Sequence, residues 1–295
     1  MRIHLRSGFL LAFLATVIWS GNFVVARGLN ETYSPISIAF FRWGIATVVI
    51  LPLAYKNLLE DFPKLRQQWK LVVFMSLVSV TLFNTFIYLA AQSTSALNLS
   101  LIAITAPLYV VILNRLINKE FLRKRQILGL VILFTGLVLL ISKGDLHRLI
   151  FMEFNKGDLF MAIAASLFGL YTVLLPRKKS GNFSFVAATI LVGELLLLPL
   201  FIGDQLVSDA PLTFTGKSIL QLLYIGIGPS IISFYLWNKS IAAIGSTKAA
   251  TIYNTLPIYS AFFAFIFLGE LILPVQIISS VVIIAGVLLV INSRD

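Results

Sequence analysis

Apolar runs of membrane-crossing length recur ten times along the chain, each closed by a short polar joint. About 20 apolar residues suffice for a helix to cross about 30 Å of hydrocarbon. The runs cover 7–26, 35–55, 71–92, 95–116, 126–142, 157–176, 183–203, 218–238, 246–268 and 271–292. The pattern predicts an all-α membrane protein of ten transmembrane helices. The stretch 56–70, which carries Lys56, Lys64, Arg66 and Pro63 among acids, reads as a loop. The joint between the third and fourth runs is so short that those helices must be antiparallel neighbours.

The runs are also written twice. A shift of 150 residues pairs Thr105 with Thr255, Pro107 with Pro257, Tyr109 with Tyr259, Glu120 with Glu270, Gln126 with Gln276 and Gly136 with Gly286. A shared apolar composition would not align a Pro, a Glu and a Gln. At a shift of 149, Gly8, Leu10 and Ala15 match Gly157, Leu159 and Ala164. The chain therefore divides into a first repeat, 1–145, a connecting segment, 146–156, and a second repeat, 157–295. Each repeat holds five spans, an odd number, so the two must be inverted relative to each other. Duplicated, inverted halves of this kind point to a transporter.

Composition agrees with the pattern. Hydrophobic residues make up 59% of 295, charged residues 12%, and mean hydropathy is +0.96. A water-soluble domain carries about 25% charge. The net charge of +11 would suit a nucleic-acid partner if the basic residues formed one patch. They follow topology instead. With a cytoplasmic amino terminus, sixteen of the 23 Lys and Arg fall in cytoplasmic segments and five outside, and Arg42 and Lys248 lie in spans. This is the positive-inside signal, and it places both termini in the cytoplasm and leaves no nucleic-acid partner. The first apolar run follows Arg2 and Arg6 as a signal peptide would, yet it lacks a small-residue cleavage site and reads as a retained helix. Cysteine is absent, which removes disulfides and thiolate chemistry, and His4 and His147 lie outside the spans. No metal, cofactor or catalytic residue is expected, and an enzyme is the weakest reading.

Ionisable side chains inside spans are functional candidates, because leaving one unpaired in lipid costs several kcal/mol. At the 149 shift, Arg42 falls opposite Leu191, less than one turn before Glu194. Two readings stay open: a buried Arg42–Glu194 ion pair joining the halves, or Glu194 as acceptor of a coupling proton. Lys248 reads as a snorkelling cation at a span end. Pro107 and Pro257 sit at matched mid-span positions, where each removes a backbone hydrogen bond and suggests a hinge or cavity wall. Asn84 and Tyr88 stack four residues apart, Tyr235 and Asn238 three apart, and Thr247, Thr251 and Asn254 form a helical stripe. Trp19, Asn22, Asn98, Tyr109, Tyr171 and Trp237 complete the polar and aromatic inventory. Glu120 and Glu270, just past the fourth and ninth runs, read as helix caps, and Gly129, Gly136 and Gly286 as sites of close helix packing.

The stretch PIYSAFFAFIFLGELILPVQIISSVVIIAG, with its first-half echo PLYVVILNRLINKEFLRKRQILGLVILFTG, closely resembles the EamA family of the drug/metabolite transporter superfamily. The resemblance also takes in Trp19 with Ser20 and Arg42 with Trp43. It departs in having Lys119 where Gly269 stands, and Phe168 and Gly169 where Trp19 and Ser20 stand. It implies a multi-pass carrier of the cytoplasmic (inner) membrane that exports or exchanges small metabolites by alternating access. It also implies a central cavity lined by Trp19, Asn22, Asn84, Tyr88, Asn98, Tyr171, Tyr235 and Asn254. Amino acids or related amphipathic solutes are the expected substrates, with the bilayer and a coupling proton as further partners. The alternative is an organic-phosphate or nucleotide-type exchanger, which would want more cations in the cavity than Arg42 and Lys248. The assembly expected is a monomer or a homodimer.

Overall fold

The computed structural model describes residues 2–30, 32–93, 102–103, 105–142, 144–145, 147, 155–207, 212–268 and 273–292. Every regular element among them is helical. The first repeat contains α1 (Arg2–Asn30), α2 (Pro35–Gln67), α3 (Trp69–Ser93), α4 (Ala106–Asn118) and α5 (Lys124–Ser142). The second contains α6 (Lys156–Arg177), α7 (Asn182–Val207), α8 (Gly216–Ile244), α9 (Ser246–Tyr253), α10 (Leu256–Leu268) and α11 (Pro274–Ile291). Among the described residues, α2, α3, α6, α7, α8 and α11 are long and apolar enough to cross a membrane unaided. Asn98, Glu270 and most of 146–156 lie outside the described residues.

Local sequence explains the boundaries. Ser34 caps α2 by accepting from the Ser37 N–H at 3.0 Å, with Pro35 in the first turn. Asn155 and Asp158 form a capping box at α6, and Thr215 and Ser218 form another at α8. Each cap satisfies helix-end donors and is worth about 1 kcal/mol. The matched glutamines cap α5 and α11: Gln126 accepts from the Arg123 N–H at 2.9 Å and Gln276 from the Leu273 N–H at 2.7 Å. That role had been expected of Glu120, which is exposed and does not cap. The expected loop 56–70 is helical as well, because α2 continues to Gln67 before a one-residue break. Its extension is held by a Lys64–Asp61 pair at 2.7 Å and by packing of Leu58 and Leu65 against the core.

Packing follows the duplication. α1 lies on α8 as α3 lies on α6, and α4 meets α6 as α9 and α10 meet α1. α2 touches α8 as α7 touches α3, while the equivalent helices α2 and α7, and α5 and α11, pack on each other. Exchanging the repeats therefore maps each of these contacts onto another of them.

Both equivalent pairs are antiparallel. Ser34, at the start of α2, donates to the Asp204 carboxylate near the end of α7. Ser184, at the start of α7, donates to Asp61 near the end of α2. Each helix ends in an acid that meets the other's beginning, where the helix dipole favours negative charge. In the second pair, a Cβ on Gly129 would meet Val290 at 2.8 Å and one on Gly136 would meet Ser279 O at 3.1 Å, so residue numbers run in opposite senses. A Cβ on Gly286 would meet the Leu133 backbone nitrogen at 2.5 Å, an approach that only glycine permits. Apolar side chains such as Val48, Val131, Leu195 and Ile278 face outward on helices whose other faces are buried. Such a surface belongs in lipid.

α3 and α8 each contain a π-helical turn, at Leu77–Leu82 and Gly228–Ile232, one repeat length apart. Side chains fasten both turns to carbonyls five residues back. Asn84 Nδ2 donates to Ser79 O at 3.3 Å, and Ser230 Oγ donates to Ile225 O at 2.8 Å. Such bulges re-aim the side chains that follow them and are frequent at functional sites; α4 carries a further π turn at Asn114–Asn118.

Candidate functional site

The π turns of α3 and α8 converge on Arg42. Its Nε donates to Ser230 Oγ at 2.6 Å, and its Nη1 donates to Asn84 Oδ1 at 2.9 Å and to Tyr88 OH at 3.2 Å. The guanidinium carbon lies 5.0 Å from the centre of the Trp43 ring. Arg42 is only 2% exposed, all three bonds end on neutral oxygens, and the ion pair found among the described residues is Lys64–Asp61. The cation is thus oriented without being neutralised.

The expected Arg42–Glu194 ion pair is not formed. Glu194 Oε1 lies 3.1 Å from the position a Cβ on Gly44 would take, and Oε2 is buried without a hydrogen-bond partner. Residues 42 and 44 are about 200° apart around a helix. Glu194 therefore reaches α2 on a different side from the guanidinium. The repeat register predicted neighbouring helices correctly and could not predict the facing.

Beside Arg42 lies a cage of aromatic rings. Trp19 meets Phe168, Phe234, Trp237 and Tyr253 edge-on, with centroids 5.7, 5.6, 5.4 and 5.8 Å apart. Trp19 Nε1 donates to Pro229 O at 2.9 Å, next to the serine that holds Arg42. Phe234 also touches Trp43 at 5.6 Å, so cage and cation form one continuous site. Tyr171 donates to Asn238 Oδ1 at 2.9 Å and packs on Phe234 at 5.6 Å.

Several buried polar side-chain atoms lack partners. Both side-chain atoms of Asn254, Trp237 Nε1, Trp43 Nε1, Asn238 Nδ2 and Asn22 Oδ1 are buried and make no hydrogen bond. Each such group costs about 1–3 kcal/mol when unsatisfied, and Trp43 and Trp237 belong to the aromatic assembly itself. Asn254 also sits at a break in the chain. α9 stops at Tyr253 and α10 begins at Leu256, with the Thr255 N–H turned back to Ile252 O at 2.9 Å. Pro257 and Pro107 thus lie in the first turns of α10 and α4 and are not kinks in continuous helices. Broken helices at membrane depth are tolerated where the freed backbone faces protein or a cavity.

Of the expected lining residues, the structure gathers Trp19, Asn84, Tyr88 and Tyr171 into this assembly. Tyr235 goes elsewhere: its ring packs against Phe183 and beneath Lys239, 4.7 Å from the ammonium, and its neighbour Phe234 faces Trp19. The threonine stripe separates too. Thr247 accepts from Asn114 Nδ2 at 3.1 Å, Thr251 bonds back to Thr247 O at 2.8 Å, and Asn254 alone keeps open valences. Ser230, Phe234, Trp43 and Tyr253 were missed as site residues. The Gly228-Pro229-Ser230 triplet inside an apolar run was the available signal for the first two.

A model of the EamA-like transporter family matches residues 6–142 and again residues 155–292. Among similar proteins, an uncharacterized transporter of Archaeoglobus fulgidus is 29% identical over 95% of this chain and 96% of its own length. The uncharacterized transporter YyaM of Bacillus subtilis is 27% identical over 92% and 90%. Protein PecM of Dickeya dadantii is 22% identical over 95% and 90%. A solved crystal structure superposes with a TM-score of 0.78 at 20% identity, covering 96% of each chain, which speaks for the fold.

Proposed function

Because the chain belongs to the EamA-like transporter family, we propose that it is a secondary transporter of small amphipathic metabolites bearing a carboxylate, amino acids foremost. The observation that carries this reading is Arg42, a buried guanidinium held only by Ser230, Asn84 and Tyr88. A buried cation without a counter-ion is costly, and an arriving carboxylate offsets that cost with charge-assisted hydrogen bonds. The aromatic cage around Trp19 suits the apolar part of such a solute. The open amide of Asn254 and the free donors of Trp237 and Asn238 suit its remaining polar groups. Trp19, Asn22, Asn84, Tyr88, Tyr171 and Asn254 remain the proposed lining, joined by Ser230, Phe234 and Trp237.

Glu194 is the proposed site of a coupling proton. It is an acid in the middle of α7, it touches α2 at Gly44, and one of its oxygens is buried without a partner. Gaining and losing a proton there changes the charge at the α2–α7 contact, where the two repeats meet. The broken segments at Pro107 and Pro257 are the proposed moving parts of an alternating-access cycle. The positive-inside bias supports a cytoplasmic membrane location with both termini inside.

The test is uptake of labelled amino acids into proteoliposomes, with and without an imposed pH gradient, for the parent and Glu194→Gln. Gradient-driven uptake that the variant loses supports both substrate class and coupling. Each amino acid is paired with the amine that lacks its carboxylate. Equal transport of the two would sink the role given to Arg42.

A further inference from the structure

Outside the central site, a cavity of about 630 Å³ opens where α4 and α5 meet the turn between α8 and α9. Its described lining includes Arg115, Arg123 and Lys248 together with the carboxylate of Glu120. Arg115 is fixed in orientation, its guanidinium carbon 3.4 Å from the centre of the Phe121 ring. The floor is rigid as well: Asn114, 2% exposed, donates to Ser246 Oγ at 2.7 Å and Thr247 Oγ1 at 3.1 Å, tying α4 to α9. The start of α9, which has no side-chain cap, lines the same space.

The rim is apolar and exposed. Leu116, Phe121 and Ile127 are 71%, 73% and 49% accessible. Phe121 and Ile127 line the cavity themselves, so a charged recess stands directly beside a surface made for acyl chains. A solute drawn from water would gain nothing from that rim, whereas a phospholipid satisfies both parts at once. We infer that this recess binds the phosphate headgroup of an anionic membrane phospholipid, with Arg115, Arg123 and Lys248 holding the headgroup and its chains lying over Leu116, Phe121 and Ile127. The chemistry is that of basic recesses between membrane helices. Glu120 disfavours a second negative charge and so favours a phosphodiester over a phosphomonoester. Because the recess is framed by Asn114 on α4 and by the entry to broken α9, a bound lipid would brace a proposed moving part. The site itself does not depend on what the central site carries.

The experiment uses the full chain, equilibrated with vesicles of phosphatidylglycerol and phosphatidylcholine and examined by native mass spectrometry for retained lipid. The parent should retain phosphatidylglycerol preferentially. Each lost cation should reduce that preference about fivefold, so Arg115→Gln with Arg123→Gln reduces it about 25-fold. Lys248→Gln provides a single change on a different helix should the double variant misfold. Lys56→Gln with Lys70→Gln removes the same charge from the same side of the protein and should leave retention unchanged. Equal retention of the two lipids by the parent, or equal loss in the control pair, overturns the assignment. So does displacement of bound phosphatidylglycerol by inorganic phosphate, which would mean that the recess recognises a free anion.

Discussion

Trp19 and Phe168 hold the same position in the two repeats, and their rings meet edge to face with centroids 5.7 Å apart. Equivalent residues touch only at the axis that relates the halves. The aromatic cage is thus built on that axis. Trp19 differs from its counterpart in having a donor, which it uses on Pro229 O.

Trp19→Ala should therefore cost about 3 kcal/mol or more, by emptying a volume bordered by four rings. Trp19→Phe should cost about 1 kcal/mol, the hydrogen bond alone. Thermal denaturation of both variants in detergent measures the difference. Equal losses would mean that the ring is not packed as described.

Arg42→Gln should weaken binding of carboxylate substrates by about 2 kcal/mol, roughly 30-fold, while hardly changing binding of the matching amines. Arg42→Lys should not restore it, because an ammonium cannot present the fixed fork that reaches Ser230, Asn84 and Tyr88 together. Calorimetric titration with each ligand pair provides the comparison.

Glu194→Gln and Arg42→Gln should act independently on stability. The two groups face different sides of α2, so their effects should add within about 0.5 kcal/mol. A double-mutant cycle giving a coupling energy well above that would restore the ion pair.

Pro257→Ala supplies the N–H that the break between α9 and α10 lacks. Expression and melting temperature should stay near those of the parent while turnover falls several-fold, since a continuous helix resists bending at Asn254. Unchanged turnover in proteoliposomes would reduce the break to a passive feature.

The duplication, the opposite sense of equivalent spans and the stacking of Asn84 and Tyr88 on one face were readable before any coordinates, because each depends on spacing along one helix or on the repeat register. What escaped depends on rotation about a helix axis. The repeat register placed Glu194 near Arg42, and an ideal 3.6-residue period gave Tyr235 the place that Phe234 occupies. The π turns in α3 and α8 shift the facing of everything after them, and an apolar run does not announce such a turn. The break after Tyr253 was signalled by Pro257, yet a proline in a membrane helix more often bends than divides it. Glu120 was read as a cap by analogy with acids at helix starts, whereas Gln126, already visible as a matched residue, supplied the bond.

The exchanged contacts of Ser34 with Asp204 and Ser184 with Asp61 bear on how such a chain could have arisen and how it assembles. In each, the second helix of one repeat receives its closing carboxylate from the other. A single repeat inserted alone would leave both its own α2-type start and its own acid without that partner. A copy of itself in the opposite orientation would supply both. At these two contacts the second repeat thus completes the first, and the paired ends of α2 and α7 are finished only where both halves are in place.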